Sequence, residues 1–141
     1  MLREAVFIMI SLAFVPTASA FNVNLDALAM VESGGNPKAI GDNGLALGEF
    51  QLHKEAVLDA NRFLKAKFKH KDALEPRSAR IIADAYINGV LPAYLKRMKI
   101  PDTLETRLSA YNQGIGFVKR GVVATSYIKK YKKAVANVRR G

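Results

Sequence analysis

The sequence predicts a mainly α-helical domain with one short β-hairpin or loop inserted after its first helix. Three observations carry that expectation. Apolar residues recur at helical spacing in several separate segments of the 141-residue chain. The stretch 38–52 lacks that period and holds the turn cluster Gly41-Asp42-Asn43-Gly44 between the apolar pieces Ala39-Ile40 and Leu45-Ala46-Leu47. No internal repeat or low-complexity linker divides the chain, and its length suits one domain.

The first twenty residues read as a separate unit. Arg3 forms a short basic start, Ala5 to Val15 is an apolar run broken by Ser11, and Pro16-Thr17-Ala18-Ser19-Ala20 ends in an Ala-x-Ala signal before Phe21. This is the pattern of a secretory signal peptide over residues 1–20, leaving a working domain over 21–141 outside the cytoplasm, in the periplasm or beyond. The apolar run is short against the ~20 residues of a membrane span. An uncleaved anchor is the alternative.

Residues 24–33 read as a helix with Asn24 as N-cap, and Gly34-Gly35-Asn36-Pro37 is a strong stop. Leu25, Leu28 and Glu32 share one stripe of that helix at i, i+3 and i+7. A carboxylate on an otherwise apolar stripe must leave water with its neighbours, and burial raises its pKa. Such a group suits general acid catalysis near neutral pH. The rival reading of Glu32 is a surface residue near a helix end.

Lys54 to Phe68 returns to helical spacing through Val57, Leu58, Leu64 and Phe68. Pro76 opens a further helix whose pattern runs through Ala79, Ile82, Ala83 and Tyr86 to Leu95, with a kink expected at Asn88-Gly89 and Pro92. Asp102 with Glu105 predicts a capping box for a helix ending near Asn112. Gly114 and Gly116 then break the chain before Phe117 and Val118. The last helix is expected over about Thr125 to Arg139, with Ile128, Tyr131, Val135 and Val138 on its apolar side.

Composition narrows the chemistry. The chain has 22 basic and 12 acidic residues, a formal net charge of +10. That balance favours polyanionic partners without choosing among them. The absence of Cys removes disulfide frameworks and thiolate metal sites, and two His residues give little support to a zinc centre. No metal and no cofactor are expected. The basic residues Lys129, Lys130, Lys132, Lys133, Arg139 and Arg140 form either a solvated helix face or a contact with an anionic wall polymer or membrane surface. Nucleic acid is not expected as a partner, because the export signal argues against it and aromatic-basic interleaving is missing.

Three blocks in order now carry a resemblance. Glu32-Ser33-x-x-Asn36-Pro37, then Gly48-x-x-Gln51, then Ala110-Tyr111-Asn112-x-Gly114 resemble the catalytic domain of soluble-type lytic transglycosylases, in the lysozyme-like superfamily that cuts peptidoglycan glycan strands. The similarity spans roughly residues 24–131. It implies an α+β lysozyme-like fold with Glu32 as the single catalytic acid. It also implies that Ser33 bonds near the substrate or orients Glu32, that Gln51 lines the cleft, and that Asn112 contacts the sugar next to the scissile bond. Tyr111 belongs to the same block, and Tyr127 matches a Tyr that supports the Glu; both also read as packing residues with a polar tip. Two departures stand out: the turn between Gly44 and Gly48 is one residue longer than usual, and Glu49 stands where Leu is common.

The implied reaction cleaves the bond between N-acetylmuramic acid and N-acetylglucosamine and leaves a 1,6-anhydro end. A lysozyme-type muramidase would instead hydrolyse that bond with a second carboxylate. Asp42 and Glu49 are the candidates, although Asp in such a turn is ordinary and Glu49 can face solvent. A non-catalytic basic envelope-binding module is the reading from another class.

Overall fold

The computed structural model describes residues 21–141, so the signal-peptide reading of residues 1–20 lies outside the described residues. The expected mainly α architecture is present. Its elements are α1 (Leu25–Ser33), β1 (Ile40–Gly41), β2 (Ala46–Leu47), α2 (Lys54–Leu64), α3 (Pro76–Ala85), α4 (Leu91–Arg97), α5 (Leu104–Gln113), α6 (Ile115–Lys119) and α7 (Thr125–Val138).

Local chemistry explains most boundaries. Asn24 caps α1 by accepting from the Ala27 N–H, and Gly34 ends it in the left-handed region at φ 66°. The hairpin pairs Ile40 with Leu47 and Gly41 with Ala46 in antiparallel register. Leu47 and Leu52 then exchange main-chain hydrogen bonds at 2.9 and 3.1 Å, closing a second turn over Gly48–Gln51. Glu75 caps α3 by accepting from the Arg77 and Ser78 N–H groups, and Pro76 follows at the start of the helix.

The structure corrects three expectations. The helix expected to reach Phe68 stops at Leu64, where Lys65 turns left-handed. Asn61 fixes the exit by bonding both the N–H and the C=O of Phe68, at 2.9 and 2.8 Å, so that Phe68 packs back on the core from an extended segment. The cap of α5 is Thr103 with Thr106, not Asp102 with Glu105. Asp102 is engaged elsewhere, by the Arg107 guanidinium at 2.6 and 2.7 Å. Beyond Gly114 the chain does not simply break, because Ile115–Lys119 forms the short helix α6 with Gly116 inside it.

The expected kink takes the form of a π-helical turn over Tyr86–Val90 between α3 and α4. Pro92 has no N–H to donate back one turn, which favours a local widening of the ladder there. Gly89 lets Phe63 of α2 pack on this turn, since a Cβ would lie 2.5 Å from the Phe63 ring.

The core gathers Leu28 of α1, Phe50 and Leu52 of the second turn, Ile82 of α3, Leu95 of α4 and Leu108 of α5, all fully buried. Burial of each such side chain is worth about 2 kcal/mol. Arg107 is the charged exception, 4% exposed. Besides Asp102 it donates to the Phe21 C=O at 3.0 Å and Asn88 Oδ1 at 3.2 Å, and it stacks 3.9 Å above the Phe21 ring. Asn88 in turn accepts from the Val23 N–H at 2.8 Å. Arg107 thus fastens the entry to α1 onto α5 and the π turn. Arg107→Met should lower stability by about 2 kcal/mol, read from the urea midpoint. That is less than a fully buried pair would cost, because Asp102 keeps 31% of its side chain in water.

Candidate active site

Glu32 occupies the last turn of α1, half-buried, immediately before the Gly34 stop. The Gly34 and Gly35 N–H groups bond back to Met30 and Ala29 at 3.1 Å, which fixes where the helix ends. Helix α1 packs along α7. Two long-range hydrogen bonds join them. The Asn24 N–H donates to Tyr131 Oη at 2.7 Å, and Tyr127 Oη donates to Glu32 Oε1 at 2.5 Å.

Burial is the leading influence on Glu32 and pushes its carboxyl above the ordinary 4.5. The Tyr127 hydrogen bond pulls the other way, the Asp42 charge adds to the rise, and His53 opposes it. A carboxylate at the negative end of a helix dipole is disfavoured in the same sense as burial. The same contact keeps Tyr127 protonated: burial first, then the Glu32 charge, hold its phenol far above the usual range. Tyr127 is therefore a permanent donor to Glu32.

Tyr127→Phe removes that donor. The Glu32 pKa should rise further, because the bond lowers it. A group that serves as a general acid works while protonated, and activity that depends on it falls as pH rises through its pKa. Under the proton-donor role proposed for Glu32 below, the alkaline limb of the rate profile should move to higher pH in the variant, measured over a pH series.

A cleft of about 350 Å³ lies beside Glu32, lined by Asp42, Gln51, His53, Tyr86, Tyr111 and Asn112 among others. Glu32 flanks this cavity and does not line it, but its charge interacts with Asp42, His53 and Tyr111, which do.

The Gly48–Gln51 turn presents the cleft amide. Gly48 has φ 78°, and a Cβ there would fall 1.7 Å from the Ala73 carbonyl oxygen, so the turn is pressed against the segment 70–74. The Gly48 C=O accepts from both the Gln51 N–H and Gln51 Nε2 at 3.0 Å. Across the hairpin Gly41 leaves room for the amide head, since a Cβ there would lie 2.1 Å from Gln51 Oε1. Tyr111 donates to the Phe50 C=O at 2.6 Å and anchors the turn to α5. Asn112 follows it on α5 and is exposed on the cleft wall.

The sequence-derived residues therefore separate. Gln51, Asn112, Tyr111 and Asp42 meet at the cleft, and Tyr127 meets Glu32 directly. Ser33 does neither. Its hydroxyl donates to the Glu49 C=O at 2.8 Å and accepts from the Asn36 N–H at 3.0 Å. It bolts the end of α1 to the Gly48–Gln51 turn, and so places Glu32 relative to Gln51 through the backbone.

The two second-carboxylate candidates also part. Asp42 lines the cleft and bonds His53 Nε2 at 2.8 Å. Glu49 is absent from the lining, and the charges that act on it are Arg80 and Asp26 on α3 and α1. Sequence reasoning missed His53 and Tyr86 as cleft residues. His53 stands directly before α2, two residues after Gln51, and that proximity was the available signal. Tyr86 enters the cleft from the π turn, with burial pushing its phenol up to about 12. Among the described residues no group of three or more His, Asp or Glu is arranged to hold a metal ion.

A helical body with a two-stranded hairpin, and a half-buried Glu ending the first helix beside a cleft, define a lysozyme-like protein. The transglycosylase SLT domain family model matches residues 20–135, and the chain belongs to that family. Comparisons with curated proteins and with solved structures gave no match. Family membership implies a lytic-transglycosylase-type enzyme acting on peptidoglycan.

Proposed function

We propose that this chain cleaves the β-1,4 bond between N-acetylmuramic acid and N-acetylglucosamine with Glu32 as its one proton-transferring group. The observation that carries this reading is the half-buried Glu32 carboxyl, raised by burial and held by a phenol that stays protonated. Protonated Glu32 donates to the glycosidic oxygen as the bond to the anomeric carbon breaks. The resulting carboxylate then takes the proton of the muramic 6-hydroxyl, whose oxygen closes on that carbon. The product carries a 1,6-anhydro end and Glu32 is protonated again, so no water is consumed. Gln51 and Asn112 are the cleft groups best placed to hold sugar amides and hydroxyls.

One observation favours a second reading. Asp42 faces the cleft and acts electrostatically on Glu32, as the second carboxylate of a hydrolase would. Its side chain is 66% exposed and engaged by His53, which suits a tuning charge better than a nucleophile or base. Mass spectrometry of digested peptidoglycan decides. Anhydro-muropeptides, with Asp42→Asn within about tenfold of wild type, support the single-Glu mechanism. Reducing ends, with a loss of ~10³-fold in Asp42→Asn, establish the hydrolase.

Export is part of the proposal, resting on the sequence of residues 1–20. N-terminal sequencing of the protein recovered from the periplasm should begin at Phe21; a chain beginning at Met1 refutes cleavage.

A further inference from the structure

Behind the catalytic helix lies a second feature that the reaction does not use. A surface groove of about 510 Å³ runs between α1 and α7, floored by Met30, Val31, Ala134 and Val138 and rimmed by Lys130 and Lys133. Met30 is 52% exposed and Val138 37%, both large apolar side chains left to water. Val138, expected on the apolar side of the last helix, lines this groove and stays partly open to water. Met30 and Glu32 are two residues apart on α1, about 200° round the helix axis, so Met30 leaves the helix on the side opposite Glu32, and the groove shares no lining residue with the cleft.

The charge around it has one sign. Residues 129–140 contain six basic and no acidic side chains. Lys132 pairs with Glu105 across α5 at 3.2 Å. Among the described residues Lys129, Lys130 and Lys133 enter no ion pair.

We propose that this groove and its lysine rim dock the domain on an anionic phospholipid surface. Lysine stems can lie along the apolar floor while their ammonium groups reach lipid phosphates. A basic helix beside an apolar strip is the arrangement that binds anionic bilayers at the interface. A second copy of the chain fits poorly, because a two-fold contact here would set Lys130 and Lys133 against themselves. Among the described residues no helix is long and apolar enough to cross a membrane, so this contact is peripheral. With the groove on the lipid, the residues that line the cleft stay free of the contact, since the two linings share none.

Vesicle sedimentation tests the docking. Wild type, Lys130→Glu/Lys133→Glu and Met30→Ser/Val138→Ser are prepared as the exported protein recovered from the periplasm, so the apolar run over residues 5–15 does not contribute. Vesicles of phosphatidylcholine alone are compared with vesicles containing about 30% phosphatidylglycerol, whose negative surface potential attracts basic segments. Wild type should partition at least tenfold better onto the anionic vesicles, less so at raised salt. Each double variant should lose about tenfold while keeping its circular dichroism spectrum and its rate on detergent-free sacculi. Equal partition of wild type onto both vesicle types overturns the proposal. So does an unchanged Met30→Ser/Val138→Ser variant, which would reduce the contact to diffuse charge. Binding to soluble polyphosphate without binding to vesicles overturns it in favour of an anionic polymer. None of these outcomes depends on the cleavage mechanism, which the sacculus rate reads separately.

Discussion

Glu32→Gln should fold like the wild type and clear purified sacculi about 10³-fold more slowly, the scale of losing a positioned general acid. The amide keeps the shape of the side chain and can still accept from Tyr127 Oη. It can neither give a proton to the glycosidic oxygen nor take one from the 6-hydroxyl. The same variant should be more stable near neutral pH, by about 1 kcal/mol. The sign follows from linkage. The folded Glu32 pKa lies above its unfolded value near 4.5, so between the two the native state binds more protons than the unfolded state. Wild-type stability therefore falls as pH rises through that window and stays lower above it. Glutamine does not titrate, so the two proteins converge below the unfolded pKa. Urea denaturation at pH 3.5 and pH 7 reads both limits. A variant that clears sacculi at the wild-type rate removes Glu32 from the chemistry.

Gly48→Ala should cost at least ~3 kcal/mol and most of the activity. The methyl group would sit 1.7 Å from the Ala73 carbonyl oxygen and 2.8 Å from its carbon, and neither is a flexible tip that can swing aside. The backbone at φ 78° adds strain of its own. The turn can relieve the clash only by lifting from the segment 70–74, which carries Gln51 and its amide with it. Gly34→Ala is the control. Its φ is 66° but its Cβ would meet nothing within 4 Å, so it carries the conformational cost alone, about 1 kcal/mol. Thermal melts of the two variants side by side separate steric from conformational cost. Similar losses in both would show that the Ala73 contact yields easily.

Local signals in the chain fixed the first helix well. Asn24, the Leu25-Leu28-Glu32 stripe and the Gly34 stop lie within eleven residues, and each acts on its immediate neighbours. The hairpin and α7 were legible for the same reason. What was not legible depends on partners far along the chain. Asp102 reads as a cap until Arg107, drawn to the Phe21 carbonyl and Asn88, claims its carboxylate. The end of α2 is set by Asn61 reaching Phe68 across a left-handed Lys65. The resemblance gives Ser33 two roles, a bond near the substrate or the orientation of Glu32, and the partner through which it positions the end of α1 is not local. The Ser33 hydroxyl donates to the Glu49 C=O, sixteen residues away, on a turn whose position periodicity cannot supply. Tyr86 and His53 reached the cleft through a π turn and a helix start, neither of which leaves a periodic trace. The meeting of Tyr127 with Glu32 came from a motif match, and the packing of α1 on α7 supplies its physical basis.

The protonation of Glu32 can be observed without substrate. Glutamate labelled with ¹³C at the side-chain carboxyl is titrated by NMR, with the Glu32 signal assigned by its loss in Glu32→Gln. Glu75 and Glu105, held below the ordinary range by hydrogen bonds to Ser78 and the Glu105 N–H respectively, serve as internal references. The Glu32 midpoint should lie above 4.5, above both references, and should climb further in Tyr127→Phe. A midpoint at or below 4.5 that ignores the loss of the Tyr127 hydroxyl would contradict a buried, phenol-held proton donor.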